Sequence, residues 1–329
     1  MNRSFAIRSS LVMALAAGGM SVALAQKPVG LPNNYPNKPV HIIIGSSAGG
    51  ATDTGARAVA TGLSERWGSA VIVENIVGTG GITAQVAVMR AAPDGYTLMG
   101  ISNSAFPTAE LVVKVPYNVR TKFPPIAQWI SLLFIVTVNN DLPVRNVKEL
   151  IAYAKANPNK LNYAYNGAGG PAQLLPEALK IAAGIDIQGI PFKGITDSYV
   201  ELMAGRIHLT VGSIIAVGPL VKSGKIRAIA ATSAQRFKDF PDLPTMRETL
   251  PTFDVFAAWI GILGVEGMSP ALINGLNREI NAVYEAPETQ KMFTGSEIPR
   301  GSPEEFRKVI VDNLDSTARI LKQAGIKIE

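Results

Sequence analysis

The residues best suited to chemistry form a glycine- and serine-rich loop near the start of the chain. An apolar run, Ile42 to Ile44, leads into Gly45-Ser46-Ser47-Ala48-Gly49-Gly50, and a helical pattern that ends near Trp67 follows. Such a loop presents backbone N–H groups at the positive end of a helix dipole, which favours anion binding. Thr52 or Asp53 is expected to cap the helix. The candidate ligand-binding residues here are Ser46, Ser47, Gly49, Gly50, Thr52 and Asp53.

Five other strand-to-helix junctions have a similar composition. In open parallel sheets, ligands bind at the carboxyl ends of the strands, so these loops are expected to line one cleft. Taken singly, each loop is also explained by the conformational freedom that a turn requires of glycine, without any ligand. The candidate residues that they add are Thr79, Gly80, Ser102, Asn103, Asn166, Gly169, Gly170, Ala172, Gln173, Lys193 and Ser213. Trp259 either faces the cleft from a later strand or is buried in the core.

The first loop also matches a serine-hydrolase motif. Gly45-Ser46-Ser47-Ala48-Gly49 reads G-x-S-x-G between a strand and a helix, so a secreted serine hydrolase that uses Ser47 is the alternative function. Its base would have to be one of the two histidines, His41 or His208. His41 lies within the strand before the loop and His208 lies where another strand begins. Neither is expected to complete a triad with Ser47.

No cofactor or metal site is predicted. The first loop lacks the Lys-Ser/Thr of a Walker A motif, and no glycine cluster reads G-x-G-x-x-G with an acidic residue at the expected distance. A chain with two histidines and no cysteine is a poor candidate for a zinc site. The basic residues form no cluster, so nucleic acid is not an expected partner.

The first 25 residues are expected to be a secretory signal peptide. Arg3 and Arg8 precede an apolar run from Leu11 to Leu24, which is too short to span a bilayer, and Ala23-Leu24-Ala25 fits a cleavage site. Cleavage there leaves 29 basic and 25 acidic residues, a formal charge of +4. This mild excess favours small anions as ligands. The sequence predicts a freely soluble, monomeric protein of the periplasm without disulfides.

Apolar runs typical of strands alternate with helical patterns, which predicts an α/β protein with mainly parallel sheets. No internal repeat is evident. The predicted strands cover residues 40–44, 70–73, 96–101, 132–138, 161–165, 187–192, 209–214, 226–231 and 257–265. The predicted helices cover residues 54–67, 82–91, 147–157, 171–183, 196–204, 218–222, 270–285 and 303–324.

Proline-rich breaks at residues 123–125 and around residues 241–251 bracket a central block of the chain. If the chain forms part of one lobe, then a second lobe, and then completes the first, it crosses between the lobes at these two breaks. The two crossings would form hinge strands, with a cleft between the lobes. The first lobe is therefore expected to contain residues 26–130 and 251–329, and the second lobe residues 131–250.

The ordered motifs of the chain resemble those of the Bug solute-binding proteins, which serve tripartite tricarboxylate transporters. The resemblance covers essentially the whole mature chain. The motifs that carry it are Tyr35-Pro36-Asn37-Lys38-Pro39, Ala48-Gly49-Gly50-Ala51-Thr52-Asp53, Val73-Glu74-Asn75, Gly78-Thr79-Gly80-Gly81, Ala92-Pro93-Asp94-Gly95-Tyr96-Thr97-Leu98, Pro191-Phe192-Lys193-Gly194 and Ser223-Gly224-Lys225-Ile226-Arg227-Ala228.

The resemblance implies a fold like that of type II periplasmic binding proteins, in which two α/β lobes close over a small carboxylate. It implies no catalysis, and it implies membrane subunits of a transporter as partners. Loops 45–53 and 78–81 would hold the ligand in the first lobe, and residues 166–173 and Ser213 in the second. The chain departs from the family at Gly45-Ser46-Ser47-Ala48, where the family commonly carries a proline and an aromatic residue before its glycine pair. The smaller residues would widen the pocket for a bulkier or aromatic carboxylate.

Overall fold

A computed structural model describes residues 30–326, except residues 33, 79–80, 104, 107–114, 116, 167–168, 193, 239, 255–257 and 293–295. The predicted signal peptide lies outside this range. Among the described residues, none of the helices has both the length and the apolar character that crossing a bilayer requires.

The first lobe is built on a five-stranded sheet with the order β2-β1-β3-β10-β4. β1, β2 and β3 are parallel to one another, whereas β10 is antiparallel to both of its neighbours. The strands of this sheet are β1 (Val40–Ile44), β2 (Val71–Asn75), β3 (Thr97–Ser102), β4 (Pro125–Leu132) and β10 (Ala258–Leu263). The late strand β10 therefore returns the chain to the lobe in which it began.

The second lobe has a five-stranded sheet with the order β7-β6-β8-β5-β9. Here β6 is parallel to β7 and β8, and β5 is antiparallel to β8 and β9. The strands are β5 (Phe134–Val138), β6 (Asn162–Asn166), β7 (Gln188–Phe192), β8 (Leu209–Ser213) and β9 (Arg227–Ala231). Each sheet thus has three parallel strands on one side and an antiparallel strand in fourth position.

Helices cover both faces of each sheet. The described helices are α1 (Ala51–Trp67), α2 (Ile82–Met89), α3 (Val119–Lys122), α4 (Val147–Ala156), α5 (Pro171–Ala183), α6 (Ile195–Met203), α7 (Ile214–Lys222), α8 (Met246–Thr249), α9 (Pro270–Glu285), α10 (Pro287–Met292) and α11 (Pro303–Ala324). In the first lobe, Ile42 and Ile44 join the core shared with α1 and α9, whereas Ile43 joins the core shared with α2 and α11. This alternation follows from the two-residue period of a strand. The predicted α/β class with two lobes is confirmed.

The two lobes are joined at the carboxyl edges of their sheets. β4 runs parallel to β3, ends at Leu132, and is followed after one residue by β5. In the second sheet Phe134, the first residue of β5, pairs with Ser213, the last residue of β8. The return strand β10 also begins at this edge, since Ala258 pairs with Leu132. The carboxyl ends of the parallel strands in both lobes therefore meet at the hinge.

The long helix α11 forms a further contact between the lobes. Phe306, Ile310 and Leu314 are buried in the first-lobe core around Trp259. Ile320 and Leu321, near the other end of the helix, are buried in the second-lobe core. A helix of 22 residues is about 33 Å long, enough to cover one lobe and reach the next.

One strand differs from the sequence-based expectation. Residues 123–125 were expected to be a break, yet β4 begins at Pro125 and is buried along most of its length, with Trp129 fully buried. Proline is tolerated because β4 lies at the edge of the sheet and Pro125 is its first residue, where a missing N–H costs no ladder bond.

The core of the first lobe depends on Trp259, which is fully buried between Phe106 and Phe306. We expect Trp259→Ala to lower the free energy of unfolding by about 3–5 kcal/mol, because a large cavity replaces the indole ring. Urea unfolding followed by circular dichroism measures this loss. Val77→Ala, at a side chain that is 61% exposed, is the control and should change stability little. Equal stabilities for the two variants would contradict this placement of Trp259.

Candidate functional site

The first glycine loop connects β1 to α1 at the carboxyl edge of the first sheet. Gly49 has a φ of 84°, a left-handed conformation that glycine adopts without strain, and Gly50 is the N-cap residue of α1. The helix therefore begins three residues earlier than the sequence indicates. Neither Thr52 nor Asp53 caps it, because both lie within its first turn.

The buried side chain of Asp53 stabilises the conformation of this loop through hydrogen bonds. Its side chain is 4% exposed, and its Oδ2 accepts hydrogen bonds from the Gly49 backbone N–H at 2.9 Å and from Arg57 Nε at 3.0 Å. Its Oδ1 accepts from Asn75 Nδ2 at 3.0 Å, and the same amide nitrogen lies 3.0 Å from the Ser46 carbonyl oxygen. Hydrogen bonding from Arg57 is the main reason that the pKa of Asp53 falls to about 2. The carboxylate is therefore ionised at neutral pH.

Asp53 and Gly49 were both expected to bind the ligand, and their contacts indicate a structural role instead. The carboxylate of Asp53 is turned towards the protein interior, so it stabilises the loop rather than facing the cleft. The Gly49 N–H already donates to Asp53. The negative charge that Asp53 places in the first turn of α1 is paired with Arg57, whose Nη2 lies 2.9 Å from Asp53 Oδ1.

A cavity of about 280 Å³ lies beside this loop. Ser46 Oγ is buried without a hydrogen-bond partner among the described residues. The residues that line the cavity are Gly45, Ser46, Thr52, Gly81, Ala84, Gln85, Met99, Gly100, Ile101, Ser102 and Ala105. Gly45 and Gly81 form a wall in close backbone contact, since a β-carbon on Gly45 would lie 2.6 Å from the Gly81 Cα.

The second glycine loop connects β6 to α5 in the other lobe. Gly169 has a φ of 73°, and Gly170 is the N-cap residue of α5. The Gly169 backbone N–H donates to Gln173 Oε1 at 2.8 Å. Asn166 ends β6 and is partly exposed, while Ala172 and Gln173 are buried in the first turn of the helix.

The two loops share one sequence pattern and one hydrogen-bonding arrangement that were not predicted from the sequence. Ala48-Gly49-Gly50-Ala51-Thr52-Asp53 and Ala168-Gly169-Gly170-Pro171-Ala172-Gln173 both read A-G-G-x-x followed by a polar acceptor. In both lobes the first glycine is left-handed, the second is the N-cap, and the acceptor three residues into the helix receives the N–H of the first glycine. A search for this six-residue pattern would have revealed the correspondence. The two acceptors differ in charge, because Asp53 is ionised and paired with Arg57 whereas Gln173 is neutral.

Two further candidate residues lie beside the hinge. Ser102 ends β3 and pairs with Ile260, whereas Ser213 ends β8 and pairs with Phe134. Ser213 is also the N-cap of α7, and its hydroxyl makes no capping hydrogen bond. Each serine is therefore next to a strand that links the lobes, at the base of the cleft.

Asn103 and Trp259 have structural contacts. The Asn103 backbone N–H donates to the Trp259 carbonyl oxygen at 2.9 Å, and Asn103 Oδ1 lies 3.3 Å from the Trp259 backbone nitrogen. Trp259 is fully buried between aromatic rings, so it belongs to the core and not to the cleft wall. Three further candidates, Thr79, Gly80 and Lys193, lie outside the described residues.

The histidines do not support the hydrolase alternative. His41 Nδ1 contacts Glu74 Oε1 near the amino end of β1. His208 Nδ1 is 2.7 Å from Asn162 Oδ1, just before β8 begins, and burial lowers the pKa of its imidazole. Both rings therefore lie at the amino ends of strands, whereas Ser47 is exposed at the carboxyl edge. The described residues also contain no cluster of three or more His, Cys, Asp or Glu side chains able to hold a metal ion.

Comparison with known families agrees with this architecture. The family described as "Tripartite tricarboxylate transporter family receptor" (TctC) matches residues 55–326. The chain belongs to this family. The protein BugT of Bordetella pertussis is 31% identical over 322 residues, which cover 96% of this chain and 98% of BugT.

Solved structures of family members have the same fold. The periplasmic binding protein BugD is 30% identical, with a TM-score of 0.67 over 89% of this chain and 99% of BugD. The R. palustris protein Rpa4515 with adipate is 29% identical, with a TM-score of 0.70 over 89% of this chain and 99% of Rpa4515. A TctC solute-binding protein from Polaromonas, at 24% identity and a TM-score of 0.81, supports the fold alone. The predicted likeness to type II periplasmic binding proteins is confirmed at the level of fold.

The Asp53 contacts predict a pH-dependent contribution to stability. Because the pKa of Asp53 is lowered from 3.8 to about 2 in the folded protein, this contribution is present above pH 4 and is lost as the pH falls towards 2. We expect Asp53→Asn to reduce the free energy of unfolding by about 1–3 kcal/mol at pH 7, and by less below pH 4.

Urea titrations of both proteins at several pH values measure this dependence. Asp312→Asn, which removes only an exposed pair with Lys308, is the control and should have little effect at any pH. A pH-independent loss for Asp53→Asn would show that the ionised carboxylate does not provide the stabilisation.

Proposed function

We propose that this protein captures a small organic carboxylate between its two lobes in the periplasm and delivers it to the membrane subunits of a tripartite tricarboxylate-type transporter. The observation that carries the proposal is the pair of matched glycine loops at the facing carboxyl edges of the two sheets. The binding of adipate by Rpa4515 supports a carboxylate ligand. The basic and apolar pattern of residues 1–25 supports export.

The site would consist of loop backbone and hydroxyl groups rather than cationic side chains. In the first lobe, Ser46, Ser47 and Ser102 contribute hydroxyls, and the loop at 78–81 contributes backbone. In the second lobe, Asn166, Ser213 and the loop at 169–173 contribute amides and a hydroxyl. Preorganised N–H and O–H donors can hold a carboxylate without a salt bridge. The ligand classes that this arrangement admits are di- or tricarboxylates and aromatic carboxylates.

The lobes, formed by residues 26–130 with 251–329 and by residues 131–250, would close as two bodies. Leu133 and the strands on either side of it supply the hinge, as the short connection between β4 and β5 suggests. A ligand that contacts both lobes binds more tightly to the closed form and shifts the population towards it. The protein would act as a monomer, with no cofactor and no catalytic step.

Calorimetry with a panel of di-, tri- and aromatic carboxylates tests the proposal. The protein is first unfolded and refolded to remove any retained ligand. We expect at least one carboxylate to bind and small-angle scattering to show compaction in its presence. Failure of every anion in the panel to bind would contradict the proposal.

Gln173→Ala tests the role of the second loop. The change removes the acceptor of the Gly169 N–H, so the loop loses its fixed geometry and carboxylate binding should weaken about 5- to 50-fold. Ile181→Ala, near the end of the same helix at a side chain that is 38% exposed, is the matched control and should bind normally. Unchanged binding by a folded Gln173→Ala protein would exclude the second loop from the site.

Ser47→Ala separates the binding function from the hydrolase alternative. As a binder, the variant should lose at most one neutral or charge-assisted hydrogen bond to the ligand, about 0.5–3 kcal/mol. A hydrolase would instead lose all turnover of an activated ester. Incubation of the parent protein with a fluorophosphonate provides the second measurement. Stoichiometric labelling of Ser47 together with ester turnover would favour the hydrolase function over carboxylate binding.

A further inference from the structure

Asn75 lies at the centre of a hydrogen-bonded cluster at the carboxyl edge of the first sheet. It is the last residue of β2 and is paired in register with Ile44, the last residue of β1. It also ends the motif Val73-Glu74-Asn75, from which the proposed site takes no group. The contacts of its side chain indicate a role in the loops that follow these two strands.

All the hydrogen-bonding groups of the Asn75 amide are used. Its Nδ2 donates to the Ser46 carbonyl oxygen and to Asp53 Oδ1, each at 3.0 Å. Its Oδ1 accepts from Arg57 Nη2 at 3.0 Å. A primary amide has two N–H donors and one carbonyl acceptor, which match two oxygen acceptors and one cation. Aspartate has no N–H to donate, so an asparagine fits this position and its isosteric acid does not.

The hydrogen bond to Ser46 fixes the direction of one peptide plane in the first loop. In a planar trans peptide, the carbonyl oxygen and the following N–H point in opposite directions. Asn75 holds the Ser46 carbonyl oxygen on the side of the buried Asp53, so the Ser47 N–H points away from that cluster. Ser47 is exposed, and its N–H donates to no acceptor among the described residues. This N–H is therefore available to a ligand only while the peptide keeps its orientation.

Asn75 also bonds across the two loops of the first lobe. Ile76, the next residue, donates its backbone N–H to the Ile44 carbonyl oxygen at 2.8 Å, which extends the strand pairing into the loops. The same two loops touch again where a β-carbon on Gly45 would lie 2.6 Å from the Gly81 Cα. A shift of either loop would therefore disturb the other, and Asn75 is a side chain that connects them.

The second lobe has no equivalent of this amide. Phe192 ends β7 opposite Asn166, the last residue of β6, just as Asn75 ends β2 opposite Ile44. A phenyl ring cannot donate to the carbonyl groups of a neighbouring loop. The cross-loop hydrogen bond is thus a feature of the first lobe and not a general consequence of the shared sheet topology.

We infer that Asn75 is a positioning residue for the first-lobe half of the site. Its amide fixes the Ser46-Ser47 peptide and connects the loop after β1 to the strand that leads into the loop after β2. The effect on affinity rests on the proposed carboxylate-binding function, whereas the fixed loop conformation is a property of the ligand-free protein. The two can therefore be measured separately.

Hydrogen exchange in the ligand-free protein tests whether Asn75 fixes the loop. Asn75→Ala removes a hydrogen bond to Asp53, so the Gly49 N–H that Asp53 accepts should exchange at least tenfold faster. Asn139→Ala is the matched control, because Asn139 is buried and donates to the Leu202 carbonyl oxygen at 2.7 Å, at the edge of the second sheet away from the hinge. It should leave the exchange of Gly49 unchanged. Parent-like exchange of Gly49 in Asn75→Ala would overturn the inference.

Titration of the refolded proteins with adipate, succinate, citrate and benzoate tests the effect on affinity. For each compound that binds the parent, Asn75→Ala should weaken binding at least tenfold, because the loop must be ordered when the ligand binds. Asn139→Ala should change affinity less than twofold. Unchanged affinity of a folded Asn75→Ala protein would exclude a positioning role. If no carboxylate binds the parent, the proposed function fails, and the exchange rates still decide whether Asn75 fixes the loop.

Asn75→Asp shows whether the N–H donors matter or only the shape of the side chain. The change keeps the size of the side chain and an oxygen that accepts from Arg57, but it removes both donors and places a second carboxylate beside Asp53. At pH 8, the exchange of Gly49 and the carboxylate affinity should change at least as much as in Asn75→Ala. Parent-like exchange and affinity in Asn75→Asp would show that the amide donors do not fix the loop, and would overturn the inference.

Discussion

The placement of the whole binding cleft depends on the single residue, Leu133, between the last strand of the first sheet and the first strand of the second. A one-residue link leaves the two strands no freedom to separate, so the carboxyl edge of one sheet must meet that of the other. The Ile214 backbone N–H donates to the Leu133 carbonyl oxygen at 2.8 Å, which ties the link to the start of α7. The parallel strands of both sheets consequently end at the same interlobe edge.

Within that space, each glycine loop is held by a side chain of the helix that it precedes. Asp53 and Gln173 have the same structural role, since each accepts a hydrogen bond from the backbone N–H of a left-handed glycine. Asp53 is ionised and paired with Arg57, whereas Gln173 is neutral. Helix α11, buried in both cores, restricts the lobes to motions that its packing can follow. A rigid pair of loops on two lobes with limited motion lowers the ordering cost of ligand capture.

Much of the fold could be predicted because its signals are local. Helices α5, α9 and α11 begin and end where the sequence indicates, since each has proline at its first position after a glycine or serine N-cap. Strand β1 was also predicted to the residue, since its apolar run is bounded by a glycine loop. The candidate binding loops were predicted from the same local signals, which are glycine and serine residues between a strand and a helix. Strand β4 was missed because Pro125 is a local break signal that only an edge position makes harmless.

The sequence by itself determined the α/β class, the positions of the glycine loops and the presence of only two histidines, one within a strand and one where a strand begins. Only the tertiary structure decided that Asp53 turns inwards to Arg57 and Asn75, that Trp259 belongs to the core, and that a cavity opens beside Ser46. The physical reason is the range of the interactions. Caps, turns and strand periods are set by residues a few positions apart, whereas the burial and partners of a side chain depend on segments that are distant in sequence.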